Sequence, residues 1–60
     1  MSIRMLAIEL YRVMRRVQEL EKALEAMNPG SPEREQTREE LRHARAEENR
    51  LKAMLEGAKE

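Results

Sequence analysis

Asn28-Pro29-Gly30-Ser31-Pro32 decides the fold. Two prolines and a glycine within five residues cannot sit inside a helix, because proline lacks the amide hydrogen and its ring clashes with the preceding turn. Asn28 stands before a proline and is pushed away from helical dihedrals. A helix arriving from the N-terminal side is therefore expected to stop near Met27. On the other side, Ser31-Pro32-Glu33 reads as a helix start. Ser31 is the expected N-cap, Pro32 takes the first helical position, and Glu33 and Glu35 face the positive end of the helix dipole. The spacing predicts helices over about 2–27 and about 32–56, joined by a turn at 28–31, with Gly57 capping the second helix. Both segments lack internal Gly and Pro and are rich in Glu, Arg, Leu, Ala, Lys and Met, which lose little freedom in a helix.

Outward from the turn, apolar residues recur with coiled-coil spacing. Ile3, Leu6, Leu10, Val13, Val17, Leu20, Leu24 and Met27 alternate steps of three and four, which makes a heptad seam. The second segment repeats the spacing with poorer residues: Arg34, Thr37, Leu41, Ala44, Glu48, Leu51, Leu55 and Ala58. Folding the chain back so that paired residue numbers sum to 61 makes every seam position meet a seam position. Leu24 then faces Thr37, Leu20 faces Leu41, Val17 faces Ala44, Val13 faces Glu48, Leu10 faces Leu51, Leu6 faces Leu55 and Ile3 faces Ala58. The expected fold is all-α, an antiparallel helical hairpin forming one domain over 1–60.

One seam cannot use all the apolar surface. From Ile3 to Met14, nine of twelve residues are apolar, and Met5, Ile8, Tyr11 and Met14 lie outside the seam. The second helix offers only Leu41, Leu51, Met54, Leu55 and alanines. Uncovered, such a patch is an interaction surface or an aggregation hazard. Self-association answers it most simply: two hairpins pack into a four-helix bundle whose interface draws on Ile3, Met5, Leu6, Ile8, Leu10, Tyr11, Val13, Met14 and Val17. Docking of one larger protein, a membrane-surface face and a disordered N-terminus are the other readings of the same residues.

Composition narrows the chemistry. The chain has 60 residues, 12 Lys+Arg and 12 Asp+Glu, one aromatic residue and no Cys. A domain this small rarely stands alone without a disulfide, a metal or a partner, and the absence of Cys removes the first. No Asp and no Cys leave no Ser/His/Asp or Cys/His catalytic set, and a single His gives no Cys/His zinc site. Glu40-x-x-His43 has the spacing of a di-metal bundle motif, yet neither residue lies on the seam. No enzyme activity, metal or cofactor is expected. The apolar run near the N-terminus is broken by Glu9, Arg12, Arg15 and Arg16, with no small-x-small cleavage site after it. The reading is a chain that starts at Met1, does not span a membrane and stays in the cytoplasm.

Charge adds two further expectations. Residues 1–17 carry four arginines against one glutamate, so Arg12, Arg15 and Arg16 are the candidate nucleic-acid contacts. In the second helix Glu35/Arg38, Glu39/Arg42, Glu47/Arg50, Glu48/Lys52 and Glu56/Lys59 sit at three- and four-residue spacings, the pattern of a solvated, salt-bridged helix. Glu48 is the anomaly, a carboxylate on the seam opposite Val13. It either leans out to pair with Arg12, Arg16, Arg45 or Lys52, or acts as a polar core position fixing register or oligomer state.

In length and layout the chain resembles the Rop family, dimeric four-helix bundles built of helical hairpins that clamp an RNA pair. It is similar at the same level to the small hairpin co-chaperones of type III secretion, which hold an aggregation-prone subunit through apolar helix faces. The resemblance implies a bundle of two hairpins and carries over no residue. The leading expectation is a homodimeric interaction or assembly module, adaptor- or co-chaperone-like. The runner-up is an Rop-like RNA-binding regulator using the helix-1 arginines.

Overall fold

The computed structural model describes residues 2–59, apart from the side chain of Lys59. Helix α1 spans Ile3–Ala26 and α2 spans Pro32–Lys59, packed antiparallel, and no strand occurs among the described residues. The pair forms a rod of 46 × 14 × 13 Å with a radius of gyration of 13.9 Å. A globular chain of this length would have a radius of gyration near ~10 Å. With only two helices there is one seam to bury and no third layer.

The turn carries the reversal. Ser31 donates its amide hydrogen to the Asn28 carbonyl at 3.0 Å, closing a four-residue turn with Pro29 and Gly30 at its centre. Neither glycine has positive φ. That excludes a type II turn, so Pro29-Gly30 takes type I geometry. Met27 leaves the helix in extended conformation while its N–H still donates to the carbonyls of Ala23 and Leu24. Helix α1 therefore ends where the Asn28-Pro29 constraint requires.

The helix starts differ from expectation in one detail. Ser31 does precede the first residue of α2, Pro32, and Glu33 and Glu35 occupy the first turn. But the Ser31 hydroxyl donates to the Glu33 carboxylate at 2.8 Å, and its backbone carbonyl accepts from the Arg34 N–H at 3.1 Å. A carboxylate two residues away is a stronger acceptor for the hydroxyl than any neutral group nearby, so the side chain turns to it. In α1 the cap is Ser2, whose hydroxyl oxygen accepts from the Met5 N–H at 3.1 Å. The expected stop at Gly57 is absent: α2 runs through it to Lys59. Gly57 keeps negative φ, so it is an ordinary helical glycine and not a left-handed cap.

The seam closes as the heptad spacing predicts. Leu6, Val17 and Leu20 of α1 and Thr37, Leu41, Ala44 and Leu51 of α2 are buried. The continuous core is Val17, Leu20, Leu41 and Ala44, with Val13 and Leu24 packed against it. Leu10, Leu55, Arg34 and Met27 are half-buried at the margins. The final layer does not close: Ile3 and Ala58 are both exposed. No buried side-chain nitrogen or oxygen among the described residues lacks a partner. Two ion pairs bridge the helices beside the core, Arg45–Glu21 at 2.7 Å and Arg16–Glu40 at 3.9 Å, one on each flank.

Glu48 sits in this seam with its side chain 17% exposed, and its Oε2 lies 2.8 Å from the Lys52 ammonium one turn on. Half-burial of this side chain is possible because its two methylenes can lie in the seam while the charge escapes along its own helix to Lys52. Val13, across the seam by register, is half-buried and packs against the core.

Three measurements test this account. Leu20→Ala should cost about 2–5 kcal/mol in chemical denaturation, since Leu20 lies in the continuous core and is only 8% exposed. Met54→Ala, at a position 44% exposed, should cost clearly less. A reversed order would place the buried stripe on the wrong face. Gly57→Ala should stabilise by about 0.5–1 kcal/mol, because an added Cβ meets nothing within 4 Å and alanine is the better helix former. A loss would mean that Gly57 terminates the helix. Glu48→Leu should raise the thermal midpoint, because leucine fills the half-closed layer and the exposed Lys52 partner contributes only about 0.3–0.5 kcal/mol as an i,i+4 pair. A lowered midpoint would show a net favourable ion pair.

Candidate interaction surface

The expected interface residues divide by where the seam leaves them. Leu6 and Val17 are buried inside the hairpin, and Leu10 and Val13 are half-buried. Ile3, Met5, Ile8, Tyr11 and Met14 all remain exposed, Tyr11 most of all at 67%. They do not form one patch. At ~100° per residue they distribute around the free surface of α1, and the two interhelical ion pairs label its flanks.

Ala7, Met14 and Glu21 follow one another at seven-residue spacing and share a flank. Glu21 meets Arg45 there, so this is the flank on which α2 presents Arg45. Ile3 and Leu10 adjoin the same strip, giving Ile3, Ala7, Leu10 and Met14 at steps of four, three and four. The opposite flank is marked by Arg16–Glu40. Met5 falls on that side of α1, and helical spacing from Glu40 puts Met54 on the matching side of α2. Between the flanks, facing away from α2, lie Ile8 and Tyr11. They line a shallow groove together with Arg4, Ala7, Arg12 and Arg15.

The arginines expected to act together are separated. Arg12 and Arg15 belong to the outward groove, whereas Arg16 turns toward α2 and Glu40. Arg12 also lies 3.4 Å from Glu9 and Arg15 3.6 Å from Glu19. Both guanidinium side chains are 71% exposed. Such pairs are screened by solvent and contribute at most about 0.2–1 kcal/mol. They trim the local positive field without tying the side chains down.

On α2 the expected ion pairs form at Arg38–Glu35, Arg42–Glu39, Arg50–Glu47 and Lys52–Glu48. The pairing of Glu56 with Lys59 lies outside the described side chains. The Arg50 guanidinium is bound to both Glu47 oxygens, at 2.6 and 2.8 Å. That hydrogen bonding, and then the carboxylate charge, make it harder to deprotonate. His43 is exposed, and Glu40 is engaged with Arg16. Among the described residues no cluster of three His, Cys, Asp or Glu could hold a metal ion, and no helix is long and apolar enough to cross a membrane. A second open groove near the turn is bordered by Glu21 and Glu25 of α1 and by Arg34, Arg38, Arg42 and Arg45 of α2.

The expected interface and contact residues left out two that the groove draws on, Ala7 and Arg4. Each was legible in the heptad spacing. Ala7 is the position that joins Ile3 to Met14 along one flank, and Arg4 is one turn before Ile8. Comparison with protein-family models, with curated proteins and with solved structures finds no match to this chain.

Proposed function

We propose that the chain is a non-enzymatic interaction and assembly module of the cytoplasm that works as a homodimer, two hairpins packing into a four-helix bundle. The observation that carries this reading is the apolar surface left on the first half of α1. Ile3, Met5, Ile8, Tyr11 and Met14 stay exposed after the seam has closed. Apolar side chains on more than one side of a helix call for more than one packing partner, and α2 has only one face to give.

The exposed area supports the same reading. The hairpin exposes 4851 Å². A compact monomer of 7.1 kDa would expose about 4,100 Å² by the surface–mass relation. The excess, about 750 Å², follows from the rod shape of two packed helices, and it leaves room for a contact of the ~800 Å² that each partner buries in a standard interface. The strip Ile3, Ala7, Leu10, Met14 is the natural contact, since it continues the hairpin seam round one flank and Ala7 lets a second helix approach closely.

Sedimentation equilibrium tests the reading. The expected result is a dimer at micromolar concentration, a thermal midpoint that rises with concentration, and a monomer for Met14→Glu, which puts a charge on the proposed contact without touching the buried seam. A clean wild-type monomer would overturn it. Retention on heparin together with co-purified RNA would instead favour a regulator using Arg12 and Arg15.

A further inference from the structure

The outward groove of α1 shares only Ala7 with the proposed dimer contact. Arg4, Ala7, Ile8 and Tyr11 stand at i, i+3, i+4 and i+7, which is the four-residue hole that receives one side chain of a facing helix. Ile8, Tyr11, Arg12 and Arg15 repeat the same figure one turn on, sharing the Ile8–Tyr11 edge. The floor is apolar, Ala7 and Ile8 with the Tyr11 ring, and the small Ala7 leaves the first hole open. Its charged lining is cationic, Arg4 and Arg15 toward the two ends and Arg12 along one side, with no carboxylate.

We propose that this face is a docking site for a single amphipathic α-helix of another protein, one with apolar side chains at three- and four-residue steps bordered by Asp and Glu. The inference rests on the interaction-module reading above and names its partner. Charge complementarity selects the occupant. Three arginines line the groove against two neighbouring carboxylates, Glu9 and Glu19, so this face keeps a positive excess although the whole chain is neutral. A second copy laid on the groove through the same face would set Arg4, Arg12 and Arg15 against themselves, which opposes a symmetric contact here. A carboxylate-bordered helix reverses that sign. It can take over Arg12 and Arg15 from Glu9 and Glu19 at little cost, because both existing pairs are exposed and longer than 3.3 Å. A nucleic-acid backbone gains nothing from an apolar floor. A lipid surface offers no knobs for two consecutive holes, and the face has no Trp or Phe to anchor it.

The test uses the full-length chain and two synthetic helical peptides of about 18 residues, long enough to hold a helix. Both carry leucines at three- and four-residue steps; one has glutamates beside the leucines and the other has lysines. In an amide chemical-shift titration, the glutamate peptide should give saturable shifts at Ala7, Ile8 and Tyr11. The lysine peptide should bind roughly tenfold more weakly or less. The double variant Arg4→Glu, Arg15→Glu, altered only at exposed positions, should invert the preference. Three results overturn the proposal: no saturable shift with the glutamate peptide, equal binding of both peptides, or shifts confined to Met14 and its flank. Binding to phosphatidylglycerol vesicles or to an RNA hairpin, without binding to the peptide, also overturns it in favour of that partner. Sedimentation of the same samples separates the two readings. A dimer that ignores the peptide ends this inference alone, and a monomer that binds it ends the dimer alone.

Discussion

The hydrogen bond from Ser31 to the Asn28 carbonyl sets the register on which every interhelical contact depends. A closed turn of fixed length, with Pro29 holding one dihedral, leaves the second helix a single way to return along the first. Slipping by one residue would rotate Leu41, Ala44 and Leu51 off the seam together. The side chains then confirm a register that the backbone has already chosen. Leu20 and Leu41 form one layer and Val17 and Ala44 the next, where the small Ala44 lets the helices come close. The ion pairs Arg45–Glu21 and Arg16–Glu40 sit outside this core on either flank, where their value lies in excluding other rotations of α2 more than in holding the helices together.

Most of the remaining charge has a different role. The i,i+3 and i,i+4 pairs along α2 support that helix by a few tenths of a kcal/mol each and keep its outer surface wet. Helix α1 has no comparable coat over its first half. The two helices are thus unequal partners: α2 is a charged cover for one stripe, and α1 is the element with surface to spare. Any function that depends on contact must be sought first on α1.

The sequence was most readable where the physics is periodic. Val17, Leu20, Leu41, Ala44 and Leu51 could be assigned to the core because a three-four spacing has one interpretation on a helix, and the sum of 61 tied the two stripes together. The turn was equally legible, since Pro29 and Pro32 forbid alternatives. Legibility failed where competing local options differ by little. Gly57 fits a left-handed cap and a helix interior almost equally well, and only the continuing backbone bonds of α2 decide. Ser31 could give its hydroxyl to Glu33 or accept from the backbone, and the choice rests on a carboxylate rotamer that sequence does not fix. The division of the surplus apolar residues into two flanks and an outward face needed the interhelical ion pairs, because spacing alone does not say on which side α2 turns its arginines. For the same reason Arg16 could be counted with Arg12 and Arg15, although its partner lies across the seam.

The open layer at Ile3 and Ala58 bears on how the hairpin forms. In an antiparallel pair, contacts next to the turn close the shortest loops, and those at the far end close the longest, at a cost that grows with the logarithm of loop length. Zipping that begins at Leu24 and Thr37 and proceeds outward reaches Leu6 and Leu51 late, and the Ile3 layer last. Amide hydrogens should accordingly exchange more readily toward the ends of the chain than at Val17 or Leu20. The segment that joins the fold last is also the one that carries the unused apolar side chains, so whatever covers Ile3 and Met14 also secures the open end of the hairpin.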